Sequence, residues 1–420
     1  MPTLLHRASA VHTMAGPAGP RAGAAMSDLS TIEHGSVALA DDGTIAWVGP
    51  ADDVPQVHRT GTTIDCAGRT LMPALVDPHT HLVWGGDRKD EMEQRLAGAD
   101  YEAIFAAGGG ILSSVRQTRA ASEDALYAQA LRRITRMRSA GTTTFEIKSG
   151  YGLDLETELR QLRVVRRLRD EGGFRVRATC LAAHAVPAES RGSAADRAAF
   201  VTRVVDEILP AVAAEGLAQS CDVFCDRGAF TPEESRLVLE KAVALGFELR
   251  VHANEFGHTG GARLAAELGA RSADHLLALN DEERAALREG GVVATLLPGT
   301  SLVLGKPYAD GRALVEAGVP IAIATDCNPG SCALENLSMV LGLACYGNRL
   351  SPAEALCAAT HNAAASMGLD GSVGSLQVGR SADLLVLETP DVRELVYHAG
   401  SPFLAAVLQA GRVVAGQLPG

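Results

Sequence analysis

The feature that most constrains this chain is a series of eight short, almost wholly apolar segments alternating with longer amphipathic ones between about residues 70 and 370. The apolar segments fall at 74–81, 142–148, 175–184, 220–225, 247–252, 271–275, 292–297 and 320–326. Strands buried on both faces read this way, because neither side of the sheet meets water. The intervening stretches, such as 123–139 and 155–171, carry helical periodicity. Another opens Thr231-Pro232-Glu233-Glu234, an N-cap, an N1 proline and two first-turn acids. Eight such units predict a (β/α)8 TIM-like barrel over residues 69–370, with a doubly wound open sheet as the rival. The flanks follow a different pattern. Residues 36–49 place two apolar runs around Asp42-Gly43, a hairpin signal, and 381–388 with 405–416 repeat it around Ala410-Gly411. They predict a small β-sandwich domain built from both termini, 1–68 and 371–420, with the Gly/Pro/Ala tract at 15–25 as a loop inside it.

Composition narrows the function classes. The chain has 420 residues, 47% of them hydrophobic, and a formal net charge of −12. That is ample material for a large core. An acidic surface without a basic cluster argues against nucleic acid or an anionic membrane as partner. The apolar runs are too short for a membrane span. Residues 1–26 are broken by His, Arg, Gly and Pro and lack a signal-peptide core, which predicts a cytoplasmic protein. The eight cysteines are scattered and read as small buried residues; Cys221 and Cys225 fall on one face of a strand, as core.

The placement of polar residues favours the barrel over the open sheet. They cluster at the C-terminal ends of the predicted strands, the ends that converge on one face of a barrel. The first strand ends Asp77-Pro78-His79-Thr80-His81, and two histidines at i and i+2 on a strand face the same side. The fifth ends at His252, the sixth at His275 and the eighth at Asp326. Imidazoles plus one carboxylate suit a divalent transition metal such as Zn²⁺ or Fe²⁺ better than Mg²⁺. Singly, each residue has a plainer reading: a chance histidine pair, a core histidine, an Asx turn at Asp326. Together, four strand ends exceed what packing delivers. Glu255, three residues past His252, is placed to carry protons beside such a site, or to act as a helix N-terminal acid. His6, His12, His34, His58 and His398 read as surface residues, His258 as a loop residue, and His361 as structural within a helix.

Longer motifs then specify a family. The stretches 77–119 and 141–160, with AAHAVP (182–187), DVFCDRGAF (222–230), HANEF (252–256), SADHLL (272–277), LLPGTS (296–301) and ATDCNPGS (324–331), resemble the imidazolonepropionases of the amidohydrolase superfamily. The resemblance spans nearly the whole predicted barrel. It implies hydrolysis of the cyclic amide of 4-imidazolone-5-propanoate to N-formimidoyl-L-glutamate, in histidine degradation. It implies one zinc or iron per chain on His79, His81, His252 and Asp326, with Glu255, His275 and Asp326 catalytic. Arg88, Tyr151, His184, Glu255, Asn328, Gly330 and Ser331 match substrate contacts, and the Arg88 guanidinium suits a propionate carboxylate. His275 matches a residue that polarises the ring carbonyl. A homodimer is compatible with the resemblance. Asn254 departs from the acid expected there and, pointing away from the His252 face, is expected to have little effect. Lys148 invites comparison with the bridging lysine of binuclear relatives but lies on the second strand instead of the fourth, so one metal is expected, with Lys148 in a buried charge network or near the substrate carboxylate. The alternatives are a nucleobase deaminase or a dihydroorotase-like cyclic amidase; a deaminase would need no cationic anchor such as Arg88. A non-catalytic scaffold fits poorly with intact ligands and Glu255. A dinucleotide-binding enzyme fits least, since no GxGxxG opens a helix and Gly108-Gly109-Gly110 follows no strand.

Overall fold

The computed structural model describes residues 3–98 and 109–419; residues 99–108, which include Gly108 and part of the 77–119 stretch, lie outside it. The terminal segments pair into one sheet. Its strands are β1 (Thr3–His12), β2 (Thr31–Leu39), β3 (Ile45–Pro50), β4 (Thr62–Asp65), β5 (Thr70–Pro73), β14 (Leu384–Leu387), β15 (Leu404–Gln409) and β16 (Arg412–Gly416). The order is β16-β15-β14-β5-β1-β2-β3, with β4 also on β1, so the two ends of the chain meet where β5 pairs with β14. Leu5, Val11, Val37, Leu71, Leu384, Val386 and Leu408 fill its core. Both expected hairpins are present, β2 with β3 and β15 with β16.

Between these flanks lie β6 (Leu75–Asp77), β7 (Thr142–Lys148), β8 (Arg175–Ala183), β9 (Ser220–Cys225), β10 (Glu248–Ala253), β11 (Ser272–His275), β12 (Val293–Leu296) and β13 (Ile321–Ile323). Each pairs in parallel with its sequence neighbour, in unbroken order from β6 to β13. This is the (β/α)8 barrel and not the open sheet. Helix Pro232–Ala244 starts as its sequence predicts, with a reciprocal capping box between Thr231 and Glu234. Such a cap stabilises by about 1 kcal/mol. All eight cysteines are free. Among the described residues no helix is long and apolar enough to cross a membrane.

Three expectations need correcting. The first and last barrel strands are shorter than read: β6 stops at Asp77 because Pro78 supplies no N–H to the ladder, and β13 stops at Ile323. The seam between them is closed beyond the strands by backbone bonds from Asp326 N to His79 O and from His81 N to Cys327 O. The tract at 15–25 is not a loop within the terminal domain. Asn362 of the last barrel helix grips it, accepting from Arg21 N and donating to Arg21 O, while the Gly19 carbonyl meets the His361 ring at 2.8 Å. Met26, just beyond, is buried in the main core. Polar backbone in such a tract must find partners, and the helix end supplies them. Finally, His12 is buried, its Nδ1 2.8 Å from Thr31 Oγ1.

Candidate active site

The barrel mouth collects the predicted residues from separate strand ends. His79 and His81 follow β6, His184 follows β8, His252 lies in β10, His275 ends β11 and Asp326 follows β13; all six are buried. Ring centroids lie 4.5 Å apart for His79 and His252, 5.3 Å for His79 and His81, and 5.2 Å for His252 and His275. Asp326 Oδ1 sits 3.6 Å from His79 Nε2 and 3.5 Å from His81 Nε2.

Carboxylates behind the rings fix their orientation. His79 Nδ1 hydrogen-bonds to Asp274 Oδ2 at 2.6 Å, and His252 Nδ1 lies 2.9 Å from Asp222 Oδ2. For His79 this leaves Nε2 facing Asp326 at the mouth. His79 Nε2 is buried without a hydrogen-bond partner, an expensive state unless a cation takes its lone pair. The 3.5 and 3.6 Å spacings are close to the ~3.4 Å edge of a tetrahedron with ~2.1 Å metal bonds. His79, His81 and Asp326 therefore form a donor set that fits a transition metal, and His252 groups with His79 and His275 and with His81 and His184.

The local backbone is strained where it delivers these groups. Asn254, His275, Leu276 and Asp326 all have positive φ, at 54, 77, 59 and 52°. Non-glycine residues persist there only when their surroundings over-determine them. Asn254 shows how: its amide donates to Ala278 O and Glu283 Oε1 and its oxygen accepts from Ala262 N. Asn254 thus fastens the turn carrying Glu255. Asp326 Oδ2 accepts from Thr300 Oγ1 at 2.5 Å.

The Glu255 side chain is only 9% exposed, with Oε2 3.8 Å from His275 Nδ1. Its backbone N–H and that of Phe256 both donate to Asp226 Oδ2. Burial raises its proton affinity well above the ordinary glutamate range, and the Asp326 and Asp226 carboxylates add to this. Burial likewise raises Asp326 to about 6, against the Thr300 hydrogen bond, and lowers His184 to about 3. His184 Nδ1 meets Gly150 O at 3.0 Å and its ring stacks on His81 at 5.0 Å.

The remaining predicted residues line the approach. The Tyr151 ring packs on His81 and His184, and burial suppresses its ionisation, Asp326 adding and Arg88 opposing. Arg88 uses Nε and Nη2 on Glu91, at 2.8 and 2.6 Å, which leaves its Nη1 end outside that pair. That end lies against Gly330, where any side chain would collide with it. Asn328 is spent inside its own turn: its oxygen accepts from Gly330 N and Ser331 N, and its amide donates to Asp326 O and Ser331 Oγ. His258 is half exposed on Glu283, and His361 is tied to Gly19.

Sequence reasoning missed the supporting carboxylates. Asp222 and Asp274 sit inside apolar strands, where an unpaired acid is costly, and that anomaly was the available signal. Glu158, buried on a helix, accepts from the N–H groups of Gly150, Gly152 and Leu153 and shapes the loop that carries Tyr151.

The amidohydrolase family model matches residues 70–416. An imidazolonepropionase from Symbiobacterium thermophilum is 49% identical over 96% of this chain and 94% of its own length. The chain belongs to the imidazolonepropionase branch of the amidohydrolases. A second imidazolonepropionase, from Rubrobacter xylanophilus, is 48% identical over 94% of each chain. More distant amidohydrolases share the fold. An adenosine deaminase from Xanthomonas campestris with bound zinc matches with a TM-score of 0.71 at 21% identity, over 99% of this chain and 93% of that one. A mutant atrazine chlorohydrolase from Arthrobacter aurescens, complexed with zinc and atraton, matches at 0.74 and 19% identity, over 99% and 95%.

Proposed function

We propose that this protein hydrolyses the cyclic amide of 4-imidazolone-5-propanoate to N-formimidoyl-L-glutamate in histidine degradation. The reading rests on the conjunction, in one barrel mouth, of a transition-metal cradle, a proton-carrying acid at Glu255 and a guanidinium end at Arg88. The imidazolonepropionases at 49 and 48% identity support it.

His79, His81, His252 and Asp326 hold one zinc or iron per chain, and that ion supplies Lewis acidity and an acidified water. Glu255 takes a proton from the attacking water and delivers it to the departing ring nitrogen. His275, beside Glu255, donates to the carbonyl oxygen as charge develops there. Arg88 meets the propionate through Nη1, and its clamp on Glu91 keeps that end aimed. Tyr151 and His184 bound the pocket beside His81, and the Asn328–Ser331 turn lies around the glutamate-like end. In this reading the chemistry belongs to the barrel, 69–370, and the segments 1–68 and 371–420 form the flanking unit of a cytoplasmic enzyme compatible with a homodimer.

The test is the loss of substrate absorbance with freshly generated imidazolone propionate, alongside metal analysis of the same preparation. Turnover with about one metal per chain is expected. Bound metal with ammonia release from nucleobases, and no loss of imidazolone, would overturn the substrate assignment.

A further inference from the structure

Lys148, the last residue of β7, is fully buried and so far unaccounted for. Its ammonium lies 2.7 Å from Asp222 Oδ2, 2.8 Å from Glu146 Oε1 and 3.6 Å from Asp274 Oδ2. Two of those oxygens also meet ring nitrogens at the mouth. Asp222 Oδ2 is 2.9 Å from His252 Nδ1, and Asp274 Oδ2 is 2.6 Å from His79 Nδ1. Each oxygen therefore bridges one shared ammonium and one imidazole. Arg250 Nε, 3.7 Å from Glu146 Oε1, closes the network on its far side.

We propose that Lys148 is a positioning residue: through the shared carboxylate oxygens of Asp222 and Asp274 it sets the orientation and tautomer of His252 and His79, so that both present Nε2 to the metal. This rests on the reading of those histidines as ligands. The physical reason is charge balance. Three buried carboxylates converge here, and without a cation between them their mutual repulsion would push them apart. That displacement would remove the partner that holds an imidazole in register. Strand pairing brings this about: β7 and β9 flank β8, and β9, β10 and β11 are consecutive, so the acids and Lys148 project into the same layer of the barrel interior.

The experiment measures zinc affinity by chelator competition in wild type, Lys148→Met and the double variant Lys148→Met/Glu146→Gln, with near-UV circular dichroism and thermal melts as fold checks. The double variant removes one charge of each sign, so the buried net charge is kept while the clamp on Asp222 and Asp274 is lost. Both variants should fold and bind zinc about 10- to 100-fold more weakly, the effect typical of losing support behind a metal ligand. At saturating zinc, KM for imidazolone propionate should be unchanged, because the substrate anchors are untouched. Wild-type zinc affinity in either folded variant overturns the proposal. Failure of both variants to fold also overturns it, by assigning Lys148 to core stability. Wild-type protein that binds no zinc would instead strike at the ligand set itself.

Discussion

The barrel mouth and the terminal sheet treat the same residue type in opposite ways. In the sheet, His12 is buried beside a hydroxyl, Thr31, and the half-buried His6 lies beside Ser36; each ring has a neutral hydrogen-bond neighbour. At the mouth, His79 and His252 are buried beside carboxylates, with Lys148 behind both. Burial alone lowers the proton affinity of His12 and His79 alike. What separates them is the partner. A hydroxyl satisfies a ring nitrogen, whereas a carboxylate makes the ring a stronger donor and aims its other nitrogen at a shared point. The sheet core around these histidines is apolar, while the barrel mouth concentrates ionisable groups. One region stabilises the fold and the other gathers groups that could hold a metal ion.

The comparison breaks first at Glu255. Glu255→Gln should lower kcat by about 10²- to 10⁴-fold with metal content unchanged; a variant that also lost its metal would show that Glu255 belongs to the cradle. Asp274→Asn should weaken zinc binding by about 10- to 100-fold, measured by chelator competition, whereas His12→Gln should leave it unchanged. Arg88→Ala should raise KM by about 10- to 100-fold, the scale of a lost charged hydrogen bond, and keep the metal. In the sheet, Leu408→Ala should destabilise by about 2–5 kcal/mol in denaturant melts without moving KM. The smallest effect is on pH dependence. His184 is held neutral, at about 3, against an unfolded value of about 6.5. The unfolded chain therefore binds the extra proton first, so stability is fully present above about 6.5 and falls as pH drops toward 3. In metal-free protein, His184→Gln should flatten that acid limb; an unchanged limb would remove His184 from the account.

How much of this was legible depended on range. The alternation of apolar runs predicted all eight barrel strands, because a strand with no solvent face must be apolar throughout. The hairpins and the capping box at Thr231 were equally readable, being local turn and cap chemistry. The candidate residues His79, His81, His252, His275 and Asp326 were visible as polar interruptions at strand ends. Less legible was the part each plays. Asn328 and Arg88 look like free ligands in sequence, yet the structure engages one within its own turn and the other on Glu91. The tract at 15–25 has nothing local to say that Asn362 and His361, more than 300 residues away, will hold it.

The sequence by itself determined the strand and helix pattern, the pairing of both termini, and which residue types stand at the barrel's C-terminal rim. Only the tertiary structure decided that Asp222, Asp274 and Lys148 meet behind the histidines, and that Asp326 N and His79 O close the barrel at the site itself. Periodicity and capping are set by neighbours along the chain, and so can be read from it. Partnership between buried charges is set by which strands lie side by side, and by distances no single segment contains.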